Sequence, residues 1–149
     1  MANYTDSIGF NKGTAAFPAN VYSVSKFEVE LDFAEINAAR TATGATALAA
    51  ADTLQVVNLP AGSVVLSAGL EVVKTDASTA TFDLGYTGGT PAAANAYAND
   101  APIGTAGYTI ADLANPTVVK TADTIDLLIN TAAPTTGKIR VFAIVADVN

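Results

Sequence analysis

The sequence predicts an all-β chain folded as an antiparallel β-sandwich or barrel. Three observations carry this. Lys26–Phe33 alternates polar and apolar residues without a break, seven or eight strand-like runs are separated by turn residues every 8–12 positions, and no segment sustains a helical period.

Residues 1–22 come first, rich in Gly, Asn, Thr and Ala with widely spaced large side chains at Tyr4, Ile8, Phe10, Phe17 and Tyr22. Neither a period of two nor one of 3.6 is sustained, and Pro18 interrupts any helix. The stretch predicts an extended N-terminal arm, either a frayed terminus or a segment that orders against a neighbour. Five large anchors in a polar tract favour the second reading. Residues 23–149 are then a single β-sandwich domain, the default for a chain of 149 residues.

The alternation from Lys26 places Phe27, Val29, Leu31 and Phe33 on the core face of a half-buried strand. Residues 37–50 are Ala- and Thr-rich around Gly44. Thr41, Thr43 and Thr46 weaken a helix there, so a loop is expected. Thr53–Leu59 and Ser63–Lys74 read as strands, and Pro60-Ala61-Gly62 between them predicts a hairpin. Thr79–Leu84 is another alternating strand, with Ala80, Phe82 and Leu84 on one side.

Gly85–Gly107 reads as a long loop of Gly, Ala, Asn and Pro in which Tyr86, Tyr97 and Ile103 are the large residues. A loop of that length is often an interaction segment. Tyr108–Leu113 and Thr117–Lys120 are weaker strands broken by Asn115-Pro116. Thr124–Asn130 is a strand, Pro134–Gly137 a turn, and Ile139–Val148 a final strand with Ile139, Val141, Ala143 and Val145 on one face. Ala51-Asp52-Thr53-Leu54-Gln55-Val56-Val57 echoes Ala122-Asp123-Thr124-Ile125-Asp126-Leu127-Leu128, each followed by a Pro/Gly turn and a second β-rich run. Two hairpins sharing start and turn chemistry would explain this, as would two equivalent hairpins in paired Greek keys. Two copies are too few for a repeat array.

Composition removes many chemistries. The chain has no His, Cys or Trp, which excludes Ser-His-Asp and Cys-His nucleophile systems, thiolate zinc sites, haem held by His, and disulfides. A net charge of -7 with seven scattered cations leaves no basic footprint for nucleic acid. No apolar run approaches the ~20 residues of a spanning helix, and Met1–Asp6 carries no secretory pattern. No membrane partner and no cofactor are therefore expected. Half the residues are hydrophobic, with 31 Ala and 19 Thr in the chain, and only 14% are charged, against ~25% in typical soluble chains. Mean hydropathy is +0.35. Part of this surface is expected to be covered by other copies or by a larger assembly.

Glu28, Glu30 and Asp32 share one strand face, with neighbours roughly 6.5–7 Å apart, a spacing that inverting glycosidases also use. The plainer reading is a solvent-facing row, since no Trp-lined cleft accompanies it. Asp123 and Asp126, with Asp83 more distant, could contribute to a calcium site, but no Asp-x-Asp-x-Asp-Gly loop exists. Asp123 then caps a turn and Asp126 faces outward. Gly85-Tyr86-Thr87-Gly88-Gly89 fits neither the dinucleotide fingerprint nor the P-loop, and Thr136-Gly137-Lys138 is P-loop-like over three residues only. No catalytic or metal site emerges.

Thr121-Ala122-Asp123-Thr124-Ile125-Asp126-Leu127-Leu128, Thr131-Ala132-Ala133-Pro134 and Gly137-Lys138-Ile139-Arg140-Val141 resemble small virion proteins of tailed bacteriophages, including phages of cyanobacteria. Leu59-Pro60-Ala61-Gly62-Ser63-Val64-Val65 and Phe82-Asp83-Leu84-Gly85 are similar to that group too, so the likeness spans roughly residues 51–148. The chain departs from it where Gly85 runs into Tyr86-Thr87-Gly88-Gly89 instead of an Asp-rich loop.

The resemblance implies a capsid cement or decoration protein. Such a protein has a jelly-roll-like sandwich, is often trimeric, and clamps neighbouring major capsid protein subunits on the outer surface of the virion. It needs contact surfaces and no catalytic groups, and the expected subunit or capsid contacts are Tyr4, Ile8, Phe10, Phe17, Tyr22, Tyr86 and Tyr97. The alternatives are a head-fibre or tail adhesion module binding host glycans through the loop of Tyr86 and Tyr97, and a hydrolase using Glu28, Glu30 or Asp32.

Overall fold

The computed structural model describes residues 3–4, 13–14, 24–86, 93–112 and 118–147. Two short strands, β1 (Asn3–Tyr4) and β2 (Gly13–Thr14), precede β3 (Val24–Asp32), the strand marked by the alternating run. A helix α1 (Phe33–Ala42) follows, then β4 (Thr53–Leu59), β5 (Ser63–Lys74), β6 (Thr81–Tyr86), β7 (Ala93–Pro102), β8 (Gly107–Asp112), β9 (Asp123–Asn130) and β10 (Lys138–Asp147).

Strands β3 to β10 form two antiparallel sheets, ordered β3-β10-β5-β8 and β4-β9-β6-β7. From β3 to β10 only the step from β6 to β7 stays within one sheet; every other step crosses to the opposite sheet. Two four-stranded sheets joined this way are a jelly roll. The all-β sandwich expected from the sequence is the fold, and the barrel is not. β1 and β2 add to this body as parallel partners of β4, at Thr53–Leu54 and Val57–Asn58.

The core lies between the sheets. Val29 and Leu31 of β3 and Ile139, Val141, Ala143 and Val145 of β10 are buried on one side. Leu54 of β4, Phe82 and Leu84 of β6, and Ile125, Leu127 and Ile129 of β9 are buried on the other. Each fully buried aliphatic side chain contributes about 1.5–3 kcal/mol relative to exposure. A register shift between Gln55 and Val57 lets both Val56 and Val57 turn inward. Phe33, at the first turn of α1, stacks on Phe82 with ring centroids 5.3 Å apart and so joins the two layers.

Four sequence expectations are corrected here. Residues 37–42 are helical, not loop. Asp32 caps α1 by accepting from the amides of Ala34 and Glu35 at 3.0 and 3.2 Å, and Phe33, Ile36 and Arg40 make its buried stripe. The threonines that argued against a helix fall at its end, where Thr43 is the C-cap and Gly44, at φ 79°, turns the chain away.

The two predicted hairpins are instead corners between sheets, because β4 pairs with β9 while β5 pairs with β10 and β8. Turn chemistry reverses a chain, but distant strands decide its ladder partners. The internal echo still has a structural meaning: β4–β5 and β9–β10 are equivalent crossing units, paired antiparallel strand for strand.

The expected loop of residues 85–107 contains β7, whose register with β6 runs from Tyr86↔Ala93 to Thr81↔Pro102 with two irregularities. Its Ala and Asn residues have poor intrinsic β preference, and pairing to β6 overrides it. Finally, the Thr117–Lys120 strand reduces, within the described residues, to one bridge between Val118 and Val64.

Candidate interaction surfaces

The outer face of the β3-β10-β5-β8 sheet carries a ladder of charges, because alternation turns every second residue of each strand outward. The register aligns Glu30, Arg140, Glu71 and Tyr108 across all four strands. Arg140 meets three carboxylates: its Nη1 lies 2.8 Å from Glu71, its Nε 3.1 Å from Glu28 and its Nη2 3.3 Å from Glu30. Lys138 bridges Glu30 at 3.1 Å and Asp32 at 3.3 Å, and Lys26 holds Glu28 at 2.6 Å.

These contacts decide the reading of the carboxylate row. The Lys26 hydrogen bond holds Glu28 below the ordinary carboxylate range, and the Lys138 hydrogen bond does so for Glu30. Burial opposes ionisation at Asp32, but the Glu35 amide and Lys138 outweigh it and its pKa also falls. A general acid needs the opposite shift. The row is a surface of paired carboxylates, each shifted away from the range a general acid needs.

Beside the ladder lies an exposed apolar strip. Tyr108 is 66% and Ile110 59% exposed on β8, and half-buried Phe142 lies across Gly69, where an added Cβ would stand 2.9 Å from its Cζ. Glu71 accepts a hydrogen bond from the Tyr108 phenol and pushes its pKa up. The strip lies toward the β8 edge of the sheet, with the paired charges on its β3, β10 and β5 side. Tyr108 and Ile110 were not among the expected contacts, although their spacing of two in Gly107–Asp112 marks them as sharing a face.

The expected contact residues divide into groups. Ile8, Phe10, Phe17 and Tyr22 lie outside the described residues. Tyr4 is in β1, whose backbone pairs with β4 at Leu54. Tyr86 and Tyr97 come together at the β6–β7 end, with centroids 6.2 Å apart and planes tilted by 54°. Tyr97 is only 7% exposed, and burial pushes its phenol well above the usual value. β7 takes up Ala93–Pro102 of the segment expected as a loop, and Tyr97 lies in the core.

The aspartates singled out for calcium serve the fold. Asp83 Oδ1 accepts from the Asp100 amide at 2.7 Å, pinning the irregular β6–β7 pairing where Asp100 adopts φ 49°. Asp123, expected to cap a turn, is the first residue of β9 and accepts from the adjacent Thr124 amide at 2.8 Å. Asp126, expected to face outward, is 2% exposed and accepts from the Thr124 hydroxyl. Among the described residues no group of three or more acidic side chains is placed to hold a metal ion. No described helix is long and apolar enough to cross a membrane.

The P-loop-like residues also have an internal ligand. The amides of Thr135, Thr136 and Gly137 donate to Asp76 Oδ2 at 2.8, 2.6 and 2.7 Å, while Thr135 Oγ1 and the Ser78 amide donate to its Oδ1 at 2.9 and 2.7 Å. Burial disfavours the charged form of Asp76, but this set of donors overcomes it and holds the carboxyl far below the ordinary range. The nest of amides at the β9–β10 corner is therefore occupied by the chain's own carboxylate.

No protein-family model matches the chain, and no curated protein matches it significantly. Solved structures do. A chain of the cyanophage Pam1 capsid asymmetric unit superposes with a TM-score of 0.58 at 22% identity, over 91% of this chain and 93% of that one. The fold is shared with chains of phage capsids. A chain of the Ralstonia phage GP4 capsid gives a TM-score of 0.56 at 16% identity, covering 97% and 96% of the two chains. A chain of the acidic stable capsid structure of Helicobacter pylori bacteriophage KHP30 gives 0.57 at 17% identity, covering 85% and 90%.

Proposed function

We propose that this protein is a structural, non-enzymatic component of a phage head: a cement or decoration protein on the outer surface that bridges neighbouring major capsid protein subunits. One observation carries the reading. The jelly roll matches, nearly end to end, chains of three different phage capsid structures. The exposed Tyr108 and Ile110, next to half-buried Phe142 and flanked on one side by paired charges, support a contact role. The division into an arm, residues 1–22, and a body, residues 23–149, and assembly as a trimer belong to the same proposal.

The test is reconstitution. Purified protein added to heads lacking it should bind to saturation and raise the temperature at which they release DNA. Absence of binding, or binding without any gain in heat resistance, would overturn the cement role. A solution mass of about 45 kDa, three times the 15.0 kDa chain, is expected for the trimer.

A further inference from the structure

We infer that β4 is an acceptor edge for the N-terminal arm and that the arm is exchanged between copies, Asn3–Tyr4 and Gly13–Thr14 of one protomer pairing with β4 of another. The inference rests on the oligomeric part of the proposed function, not on capsid binding.

β4 ends the β4-β9-β6-β7 order, so its outer backbone groups would form an open sheet edge without further partners. Two arm fragments occupy that edge in parallel register, with Asn3 and Tyr4 opposite Thr53 and Leu54, and Gly13 and Thr14 opposite Val57 and Asn58. Each fragment contributes two residues, and parallel pairs this short are weakly held.

The arm leads into β3, which lies in the opposite sheet from β4. The nine residues between Thr14 and Val24 can span about 30 Å when extended. The β4 edge offers the same hydrogen bonds to its own arm and to a neighbour's. Exchange therefore costs little in pairing, and it links the bodies it joins.

The chain has no Cys, so engineered thiols report pairing cleanly. Thr14→Cys and Asn58→Cys occupy register-opposed positions. The two single variants are co-expressed, oxidised and run on a non-reducing gel, with the double variant as the control for pairing within a chain. Exchange predicts a covalent heterodimer of about twice the 15.0 kDa chain mass, joined between residues 14 and 58 by peptide mapping. If the singles stay uncrosslinked while the double variant closes within one chain, exchange is wrong. If neither forms, the acceptor edge itself is wrong. Either result can be obtained with capsid binding intact, so it is separable from failure of the cement role.

Discussion

The carboxylate of Asp76 lies 2.7 Å from the amide of Gly137, across 61 positions of sequence. That contact ties the β5–β6 connection to the β9–β10 corner. Two further bonds gather neighbouring segments at the same end of the sandwich: the Asp76 amide donates to Ile103 and the Phe33 amide donates to Gly137. Asp76→Ala leaves three corner amides without their acceptor in a buried site, and a loss of about 3 kcal/mol is expected. Urea unfolding at neutral pH measures it; a loss below about 1 kcal/mol would show that the corner is held by other contacts.

The same residue sets an acid dependence. Its folded pKa is depressed, so its contribution is full above the unfolded value of about 3.9 and declines as pH falls through that value toward the folded one. Wild-type stability should therefore drop between about pH 5 and pH 2, and Asp76→Asn should flatten that drop. Denaturant midpoints across the range would reveal parallel curves if Asp76 were not responsible.

Gly69 is required by proximity. A Cβ there would sit 2.3 Å from the carbonyl oxygen of Thr109 and 2.9 Å from Phe142 Cζ. Gly69→Ala should cost about 1–3 kcal/mol, with faster amide hydrogen exchange localised to β8. Unchanged exchange in β8 would contradict the close approach.

Phe82 is fully buried and stacked on Phe33 between the layers. Phe82→Ala should destabilise by about 3–5 kcal/mol, and Phe82→Leu by clearly less because it leaves a smaller void. Equal losses in thermal unfolding would argue against a size-dependent cavity.

The charge ladder makes a spectroscopic prediction. In Lys138→Ala, Glu30 should titrate at higher pH than in the wild type, moving toward the ordinary glutamate value of about 4.3. Carboxyl NMR titration at low salt follows it, and an unmoved Glu30 would mean that the pair is absent in solution.

Much of this fold was legible locally. The alternation of Lys26–Phe33 marks β3, and the shared face of Ile139, Val141, Ala143 and Val145 marks β10, since burying one face of a strand imposes a period of two on its residues. The lack of His and Cys excluded whole chemistries before any contact was known.

What the tertiary structure decided was non-local. Pro60–Gly62 and Pro134–Gly137 have the composition of hairpin turns, yet each joins strands of different sheets, because β4 finds β9 and β5 finds β10. β7 forms from a segment of low strand preference because β6 offers it a ladder, and α1 forms because Asp32 caps it and Phe33 has Phe82 to stack on. Glu28, Glu30 and Asp32 could be seen as a row of carboxylates in the sequence. Only the pairing of β3 with β10 placed Arg140 and Lys138 beside them, and so made them a neutralised surface. Residue type limits which interactions a position can make, whereas partners a hundred positions away determine which of them it does make.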